Sequence, residues 1–190
     1  YHYFAKTGVL LFVESFYPKL RFFSKDGEEL WYLEQVDDDG IRDSFSYVLN
    51  TLNMDLEDDR IIMKIKKGKQ NYTVCFNVLK GDVIWYRKDN HPFPLSGVKC
   101  EDGLLRGVFS YNDNGEVVTI LFELNPLNGK ANMYRISNNE HARKVTVSSS
   151  ETEYSMYNYI MEGDILYAVS AKEIVVVDTK EKVILERKEA

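Results

Sequence analysis

Two short runs in this 190-residue chain are rich in acidic or amide side chains, the residue types that could bind a metal ion. The run Asp37 to Gly40 places three carboxylates beside a glycine. A calcium loop needs six to eight oxygen ligands at spaced positions and a bidentate glutamate further along. That glutamate is missing, so we interpret the run as an acidic loop and predict no metal ion. The run Asn112 to Gly115 has the composition of a hairpin turn.

Histidine and serine residues do not form a recognisable catalytic pattern. His2, His91 and His141 do not have the spacing of zinc ligands. The Gly-x-Ser-x-Gly sequence that presents a nucleophilic serine is absent. We therefore predict no catalytic residue and no cofactor. The alternative is a hydrolase-type enzyme whose site is built from several loops around a central channel.

Tyrosine is abundant, with thirteen residues, and one group of three falls close together. Tyr154, Tyr157 and Tyr159 lie on a stretch where strand alternation would place some rings in the core and others in solvent. An exposed tyrosine offers a large contact area at little cost in side-chain entropy. We predict these three residues as a binding surface.

Charge argues against a nucleic-acid partner, and hydropathy argues against a membrane-spanning segment. The net charge is -6, the pI is about 5.2 and the lysines and arginines are spread along the chain, which argues against a nucleic-acid partner. No apolar run approaches the ~18 residues of a membrane span. Because the chain begins at Tyr1, we expect that a signal peptide or other segment was removed upstream. We expect a secreted or periplasmic location in preference to a cytoplasmic one.

The two cysteines are too few for a disulfide framework. Cys75 lies in an apolar stretch, where a buried thiol behaves as a small hydrophobic side chain. We expect both thiols to be reduced, with a Cys75 to Cys100 bridge as the alternative.

The elements that position these residues are short apolar blocks separated by turn residues, a pattern typical of β-strands. Asp26-Gly27, Asn114-Gly115 and Asn128-Gly129 predict tight hairpins. Residues 43–58 are the only stretch with a helical tendency, and it is weak. The predicted strands are Val9–Glu14, Lys19–Phe23, Glu29–Glu34, Arg60–Ile65, Tyr72–Val78, Val83–Arg87, Leu104–Ser110, Val117–Leu124, Asn132–Ile136, Val145–Ser149, Tyr157–Met161, Ile165–Ser170, Ile174–Asp178 and Val183–Arg187.

The strand pattern repeats four times, at intervals of roughly fifty residues, which is the size of a propeller blade. Each repeat has a turn residue followed four positions later by a large side chain. The turn residues are Gly27, Gly81, Gly129 and Glu181, and the large residues are Trp31, Trp85, Met133 and Leu185.

The segment from Asn77 to Trp85 resembles the quinoprotein (PQQ-like) β-propeller repeat, and residues 167–178 resemble its second and third strands. The resemblance implies a blade whose turn glycine joins the third and fourth strands and whose tryptophan packs between blades. The last two repeats lack the tryptophan, and the last also lacks the glycine. No functional residue is carried over, because such repeats serve quinone enzymes and scaffolds alike.

We therefore predict a single all-β domain spanning 1–190, a β-propeller or propeller-like array of four antiparallel four-stranded units, with a β-sandwich or barrel as the alternative. The units cover 1–38, 39–90, 91–138 and 139–190. The predicted function is a non-enzymatic binding or scaffold domain that presents its loops, among them 42–59 and 138–156, to a protein or glycan partner. Nucleic acid and a membrane span are not predicted.

Overall fold

The computed structural model describes residues 1–14, 19–34, 37–38, 41–42, 45–46, 59–67, 70–89, 97–138, 140–147 and 157–189. All regular structure in these ranges is β-strand, and every strand pair is antiparallel. The chain divides into two compact units, Tyr1–Asn90 and His91–Ala190, and each is described by itself.

The first unit contains two four-stranded sheets and one short hairpin. The first sheet has the order β1-β2-β3-β4 and the second has the order β10-β9-β8-β7, while β5 pairs with β6. The strands are β1 (His2–Phe4), β2 (Val9–Glu14), β3 (Lys19–Phe23), β4 (Glu29–Glu34), β5 (Asp37–Asp38), β6 (Ile41–Arg42), β7 (Phe45–Ser46), β8 (Arg60–Lys67), β9 (Gln70–Asn77) and β10 (Val83–Asp89).

The second unit contains a five-stranded third sheet, in the order β11-β12-β13-β14-β15, and a four-stranded fourth sheet, in the order β16-β17-β18-β19. The strands are β11 (Val98–Lys99), β12 (Leu105–Asp113), β13 (Glu116–Leu124), β14 (Ala131–Ile136), β15 (Arg143–Lys144), β16 (Asn158–Glu162), β17 (Ile165–Val169), β18 (Glu173–Asp178) and β19 (Val183–Glu189).

The all-β prediction, with four antiparallel units in succession, is confirmed. In each of the four sheets a strand pairs with the strand next to it in the sequence, which is the up-and-down connection of a propeller blade. Most predicted strands form within two residues of their expected bounds. The expected strand at Val145–Ser149 is wrong in its described part, because the strand here is Arg143–Lys144 and residues 145–147 are irregular. The third sheet thereby extends past the expected unit boundary at residue 138.

Residues 43–58, with their weak helical tendency, lie largely outside the described residues, and the described pair Phe45–Ser46 is a strand. The single-domain boundaries of 1–190 stay a prediction.

The core of the first unit follows the alternation of side chains along its strands. Val9 and Leu11 of β2 face inward together with Leu20 and Phe22 of β3, and all four are buried. They pack in one cluster with residues of the second sheet and with Val78 of the turn after β9. The residues of the second sheet are Ile61, Met63, Val74 and Phe76. The two sheets of this unit are therefore held together by apolar side chains from their facing surfaces.

Trp31 packs against this core and links the two sheets. Its ring stacks on Phe22, with 3.8 Å between the ring centroids. Its indole nitrogen donates a hydrogen bond to the carbonyl oxygen of Val78, 2.7 Å away, in the turn that follows β9. Gly81 in the same turn has a φ of +74°, and a Cβ added there would lie 2.7 Å from Cδ2 of Trp31. This position therefore needs glycine for two reasons, its backbone conformation and the close approach of the indole ring.

The turns after β9, β13 and β18 share one design. Each begins with a residue whose side-chain oxygen accepts backbone N–H groups two or three positions later, and these residues are Asn77, Asn125 and Asp178. Each has a residue with positive φ four positions further on, and these residues are Gly81, Gly129 and Lys182. The sequence alignment of the last repeat was therefore wrong by one residue, since Lys182, and not Glu181, occupies the glycine position.

The core of the second unit also lies between two sheets. Val108 of β12 and Leu121 of β13 pack in one cluster with buried residues of the fourth sheet. These residues are Leu166, Ala168, Val175, Val177 and Ile184. The fourth sheet therefore covers one face of the third sheet.

Both cysteines are free and buried, as the sequence predicts. Cys75 lies in β9 and is fully buried. Burial raises the pKa of the Cys75 thiol to about 12. The reactive thiolate form is therefore rare at neutral pH.

Substituting Gly81 tests the link between Trp31 and the turn. Gly81→Ala should destabilise the protein more than Gly27→Ala, because both glycines have positive φ but only Gly81 has a ring within 4 Å of the added Cβ. We expect a loss of about 1–2 kcal/mol for Gly27→Ala from its backbone conformation. Gly81→Ala should cost about 1–3 kcal/mol beyond that from overpacking. Urea unfolding of the two variants measures the difference, and equal losses would contradict the contact.

Thiol labelling tests the burial of the cysteines. At pH 8 we expect almost no reaction of the native protein with a thiol reagent such as DTNB, since both side chains are buried and burial raises the pKa of each. Adding denaturant should expose both thiols at once. Rapid labelling of Cys75 in the native protein would contradict the described core.

Candidate functional site

Two of the three tyrosines predicted as a binding surface are packed inside the second unit. Tyr157 is only 4% exposed. Its hydroxyl donates to a carboxylate oxygen of Glu173 and lies 3.0 Å from Oγ of Ser110. Tyr159 is partly buried and donates to the carbonyl oxygen of Val108 at 2.6 Å. Tyr154 lies outside the described residues, and the binding role of the three tyrosines stays a prediction.

The hydroxyl of Tyr157 belongs to a polar network between the third and fourth sheets. Oγ of Ser110 and Oγ1 of Thr119 lie 3.0 Å apart, and each residue is 2% exposed. Arg187 of β19 donates to Oγ1 of Thr119, and its Nε lies 3.2 Å from Oε2 of Glu173. A buried polar group needs hydrogen-bond partners, and the three hydroxyl groups of this network find theirs within it. Nε of Arg187 is buried and has the ion pair with Glu173 without a hydrogen bond.

The network fixes the protonation state of its phenol. Burial raises the pKa of Tyr157 above its usual value, and the neighbouring Glu173 carboxylate raises it further. The phenol therefore remains protonated at neutral pH and acts as a hydrogen-bond donor. Tyr157 directly precedes β16, and its hydroxyl connects this part of the fourth sheet to Ser110 of β12 and Glu173 of β18.

A cleft of about 610 Å³ opens beside this network, at the end of the third sheet where β13 begins and β14 ends. Residues 116–119 of β13 and residues 135–136 of β14 line it, together with residues of the segment that follows β14. Thr119 belongs both to the lining of the cleft and to the polar network. One residue that lines the cleft, Thr119, therefore has its side chain fixed by hydrogen bonds.

One edge of β13 is open in this cleft. A two-residue turn at Asn114 and Gly115, with φ values of 53° and 92°, joins β12 to β13 and makes Asp113 and Glu116 the closing pair. Because backbone groups alternate in direction along a strand, the N–H and C=O of Val117 point away from β12, as those of Thr119 do. The last residue of β14, Ile136, pairs with Thr119. Among the described strands, none therefore pairs with this side of Val117.

Four charged side chains surround the open edge in two ion pairs. Nη2 of Arg135 lies 2.5 Å from Glu116, and Nη2 of Arg143 lies 3.4 Å from Glu140. Arg135 of β14 is directly opposite Arg143 of β15 in the strand register. All four residues line the cleft and are well exposed. The cleft can therefore form hydrogen bonds both to a polypeptide backbone and to charged groups.

A second polar cluster lies at the opposite end of the third sheet and has a structural role. Arg106 donates to both carboxylate oxygens of Asp102, at 3.0 and 2.7 Å, and to Glu123 at 3.1 Å. The hydrogen bond from Arg106 holds the pKa of Asp102 below its usual value. Nζ of Lys182 lies 3.5 Å from Glu123 and 4.9 Å from the centre of the Tyr134 ring. These contacts attach the turn of the fourth sheet to the third sheet.

Among the described residues, the exposed aromatic side chains lie in the first unit, and none of them is one of the three tyrosines predicted as a binding surface. Tyr3, Phe12, Tyr32 and Tyr86 are 56%, 47%, 50% and 70% exposed. Phe12, Arg21 and Tyr32 are paired across β2, β3 and β4, so they share one face of the first sheet. The sequence signal for this exposed aromatic face is the run Val9 to Val13, where apolar residues occupy both faces of one strand.

The acidic run at residues 37–40 is described only for Asp37–Asp38, which pair with Ile41–Arg42. Within the described ranges, no group of three or more histidine, cysteine or acidic residues could hold a metal ion. Those ranges also contain no helix long and apolar enough to cross a membrane.

The fold defines an all-β protein built from repeated antiparallel blades. No protein-family model matches the chain. No curated protein matches it in sequence. Among solved structures, it is similar to BamB from Moraxella catarrhalis, with 13% identity and a TM-score of 0.47. The match covers 97% of this chain and 50% of that chain, so this chain spans about half its length. No function is carried over from this likeness.

Removing the Tyr157 hydroxyl tests the polar network. Tyr157→Phe should lower the free energy of unfolding by about 1–3 kcal/mol, because Glu173 and Ser110 lose a buried partner. Tyr86→Phe is the matched control, since that ring is 70% exposed and the change should cost almost nothing. Chemical denaturation of both variants measures the effect, and equal stabilities would show that the network contributes nothing.

The same variant tests the raised pKa of Tyr157. A phenol whose pKa is higher in the folded than in the unfolded state contributes stability below the unfolded value of about 10, and this stability is lost as the pH rises through the folded value. The stability of the wild type should therefore fall more steeply than that of Tyr157→Phe above pH ~10. Both proteins contain both cysteines, so the difference in slope isolates Tyr157. Parallel pH profiles would contradict the shift.

Proposed function

We propose that this protein is a non-catalytic binding module whose cleft in the second unit takes an extended polypeptide segment of a protein partner. The observation that carries the proposal is the open edge of β13 at Val117, inside a cleft of about 610 Å³. An unpaired strand edge presents backbone N–H and C=O groups to a further strand. Addition of a peptide strand to such an edge is a common mode of protein recognition.

The lining of the cleft favours a polypeptide over a glycan. Its described residues are aliphatic, hydroxyl-bearing or charged, together with His141, and no Tyr, Trp or Phe is among them. The open edge offers one donor and one acceptor in the geometry of a strand, which a peptide backbone matches at its own repeat distance.

The residue Ser137 has a structural role in the wall of the cleft. Oγ of Ser137 accepts a hydrogen bond from the backbone N–H of Glu140 at 3.0 Å, a bond that stabilises the turn. The carbonyl oxygen of Ser137 accepts from the N–H of Ile184 at 3.0 Å and directs the chain toward the fourth sheet. Both contacts help to fix the wall of the cleft. The secreted or periplasmic location stays a prediction.

Selection from a phage-displayed library of random heptapeptides tests the proposal. We expect the immobilised protein to enrich peptides above the level found with an unrelated protein. Synthetic versions should perturb the backbone amide NMR signals of Val117 and Thr119. N-methylation of alternate peptide amides should abolish binding, because it removes the donors that pair with the edge.

Two variants at one position serve as a matched pair. Val117→Pro should lose peptide binding because it removes the N–H of the open edge, whereas Val117→Thr should retain binding. Thermal unfolding of both variants shows whether the hairpin is intact, and the N-methylated peptides test the same bond in the unaltered protein. Three results would overturn the proposal, namely no enrichment, amide changes confined to another surface, or cleft changes with an oligosaccharide in place of a peptide. Cleavage of the peptides, detected by mass spectrometry, would favour the hydrolase alternative.

A further inference from the structure

We infer that the segment bound in the cleft is acidic, with a carboxylate that lies between the guanidinium groups of Arg135 and Arg143. The inference rests on the proposed function, since it assigns the chemical class of the ligand in the same cleft. Its basis is the register of β14 and β15 together with the positions of the ion pairs around them.

The two arginines face each other across neighbouring strands. Arg135 and Arg143 are Cα partners, so their side chains leave the sheet on the same face. The Cβ atoms of such pairs are about 4.5–5.5 Å apart, and like charges placed directly opposite each other are unfavourable. An anion between the two guanidinium groups would remove this repulsion.

The glutamates of the cleft leave room for such an anion. Glu116 contacts Arg135 through Nη2 at 2.5 Å, and Glu140 contacts Arg143 through Nη2 at 3.4 Å. Each guanidinium has five N–H donors in a planar fork, so one contact does not exhaust it. Both ion pairs are exposed and therefore weak, so a ligand can compete with them at little cost.

The open edge directs a ligand side chain toward these arginines. Ser137 of this chain directly follows Ile136, so a ligand strand that pairs with Val117 would place its neighbouring residue opposite Glu116. Residues directly opposite each other on neighbouring strands put their side chains on the same face. That side chain would therefore lie beside Glu116, whose carboxylate is 2.5 Å from Nη2 of Arg135. A glutamate or aspartate there could reach the guanidinium of Arg135.

A basic segment would fit this arrangement less well. The two guanidinium groups are adjacent, and one carboxylate can accept hydrogen bonds from both of them. Glu116 and Glu140 instead belong to different elements, the start of β13 and the segment after β14, and each already has its own arginine. A ligand ammonium group near either glutamate would also lie near a guanidinium of like charge.

Peptides from the library selection test the inference. We expect the enriched peptides to contain glutamate or aspartate, and replacement of one such residue by its amide should weaken binding about tenfold. Arg135→Gln and Arg143→Gln should each weaken the binding of the acidic peptide by a similar factor. Neither variant should alter the affinity of the amide peptide. Binding of the acidic peptide should also weaken as the salt concentration rises.

Two further variants make the test specific to charge and place. Arg21→Gln is the matched control, because Arg21 forms an ion pair with Glu29 at 3.0 Å on the first sheet, outside the cleft. It should leave peptide binding unchanged. Glu116→Gln removes the carboxylate that competes for Arg135, so it should strengthen the binding of an acidic peptide. For a basic ligand, Glu116→Gln would weaken binding.

The outcomes separate this inference from the proposed function. If the enriched peptides bind in the cleft but their amide versions bind equally well, the ligand is not selected by charge and the inference is wrong while the proposed function stands. Enriched lysine peptides that Glu116→Gln weakens would also overturn it. If no peptide binds in the cleft, both the proposed function and the inference fall.

Discussion

In each unit, a large side chain of one sheet packs on the turn of the next sheet, and this contact fixes how the two sheets meet. In the first unit the contact is made by Trp31 on Gly81. In the second unit Lys182 occupies the equivalent turn position with a positive φ, and its ammonium group contacts the ring of Tyr134 and the carboxylate of Glu123. The two links have the same place in the fold and different chemistry. An apolar stack needs a glycine beneath it, whereas a cation contact can be made by the turn residue itself.

The strands and turns could be predicted because their signals are local. Apolar blocks of five to nine residues ended by Gly, Asn or Asp locate strands and hairpins without knowledge of the neighbouring sheet. The position of the last turn was missed by one residue because Lys182 does not look like a turn residue. Its positive φ is supported by Asp178, whose carboxylate accepts the N–H groups of Lys180 and Glu181. The sequence signal that could have located this turn is Asp178, four residues before the position with positive φ.

The candidate site could not be predicted from the sequence for a physical reason. Alternation along a strand shows which side chains share a face, but not which face another sheet covers. Alternation therefore did not show that Tyr157 is buried or that the Tyr159 hydroxyl donates to Val108 of β12, and the binding role of these tyrosines stays a prediction. The cleft depends on β14 ending opposite Thr119 while β13 continues to Glu116. That difference in length comes from pairing between strands, and no single strand encodes it.

The cleft and the buried network are one structure, because Thr119 belongs to both. Its hydroxyl contacts Ser110 and accepts a hydrogen bond from Arg187, so the residue next to the open edge has a fixed position before any ligand arrives. A bound segment then loses its own freedom without requiring the site to become ordered, which reduces the free-energy cost of binding. The charged residues at the rim are exposed, so in the proposed function they would contribute selectivity at modest energy. The proposed recognition of a short polypeptide would then divide between two features, since the backbone bonds would supply affinity for any strand and the arginine pair would select among strands.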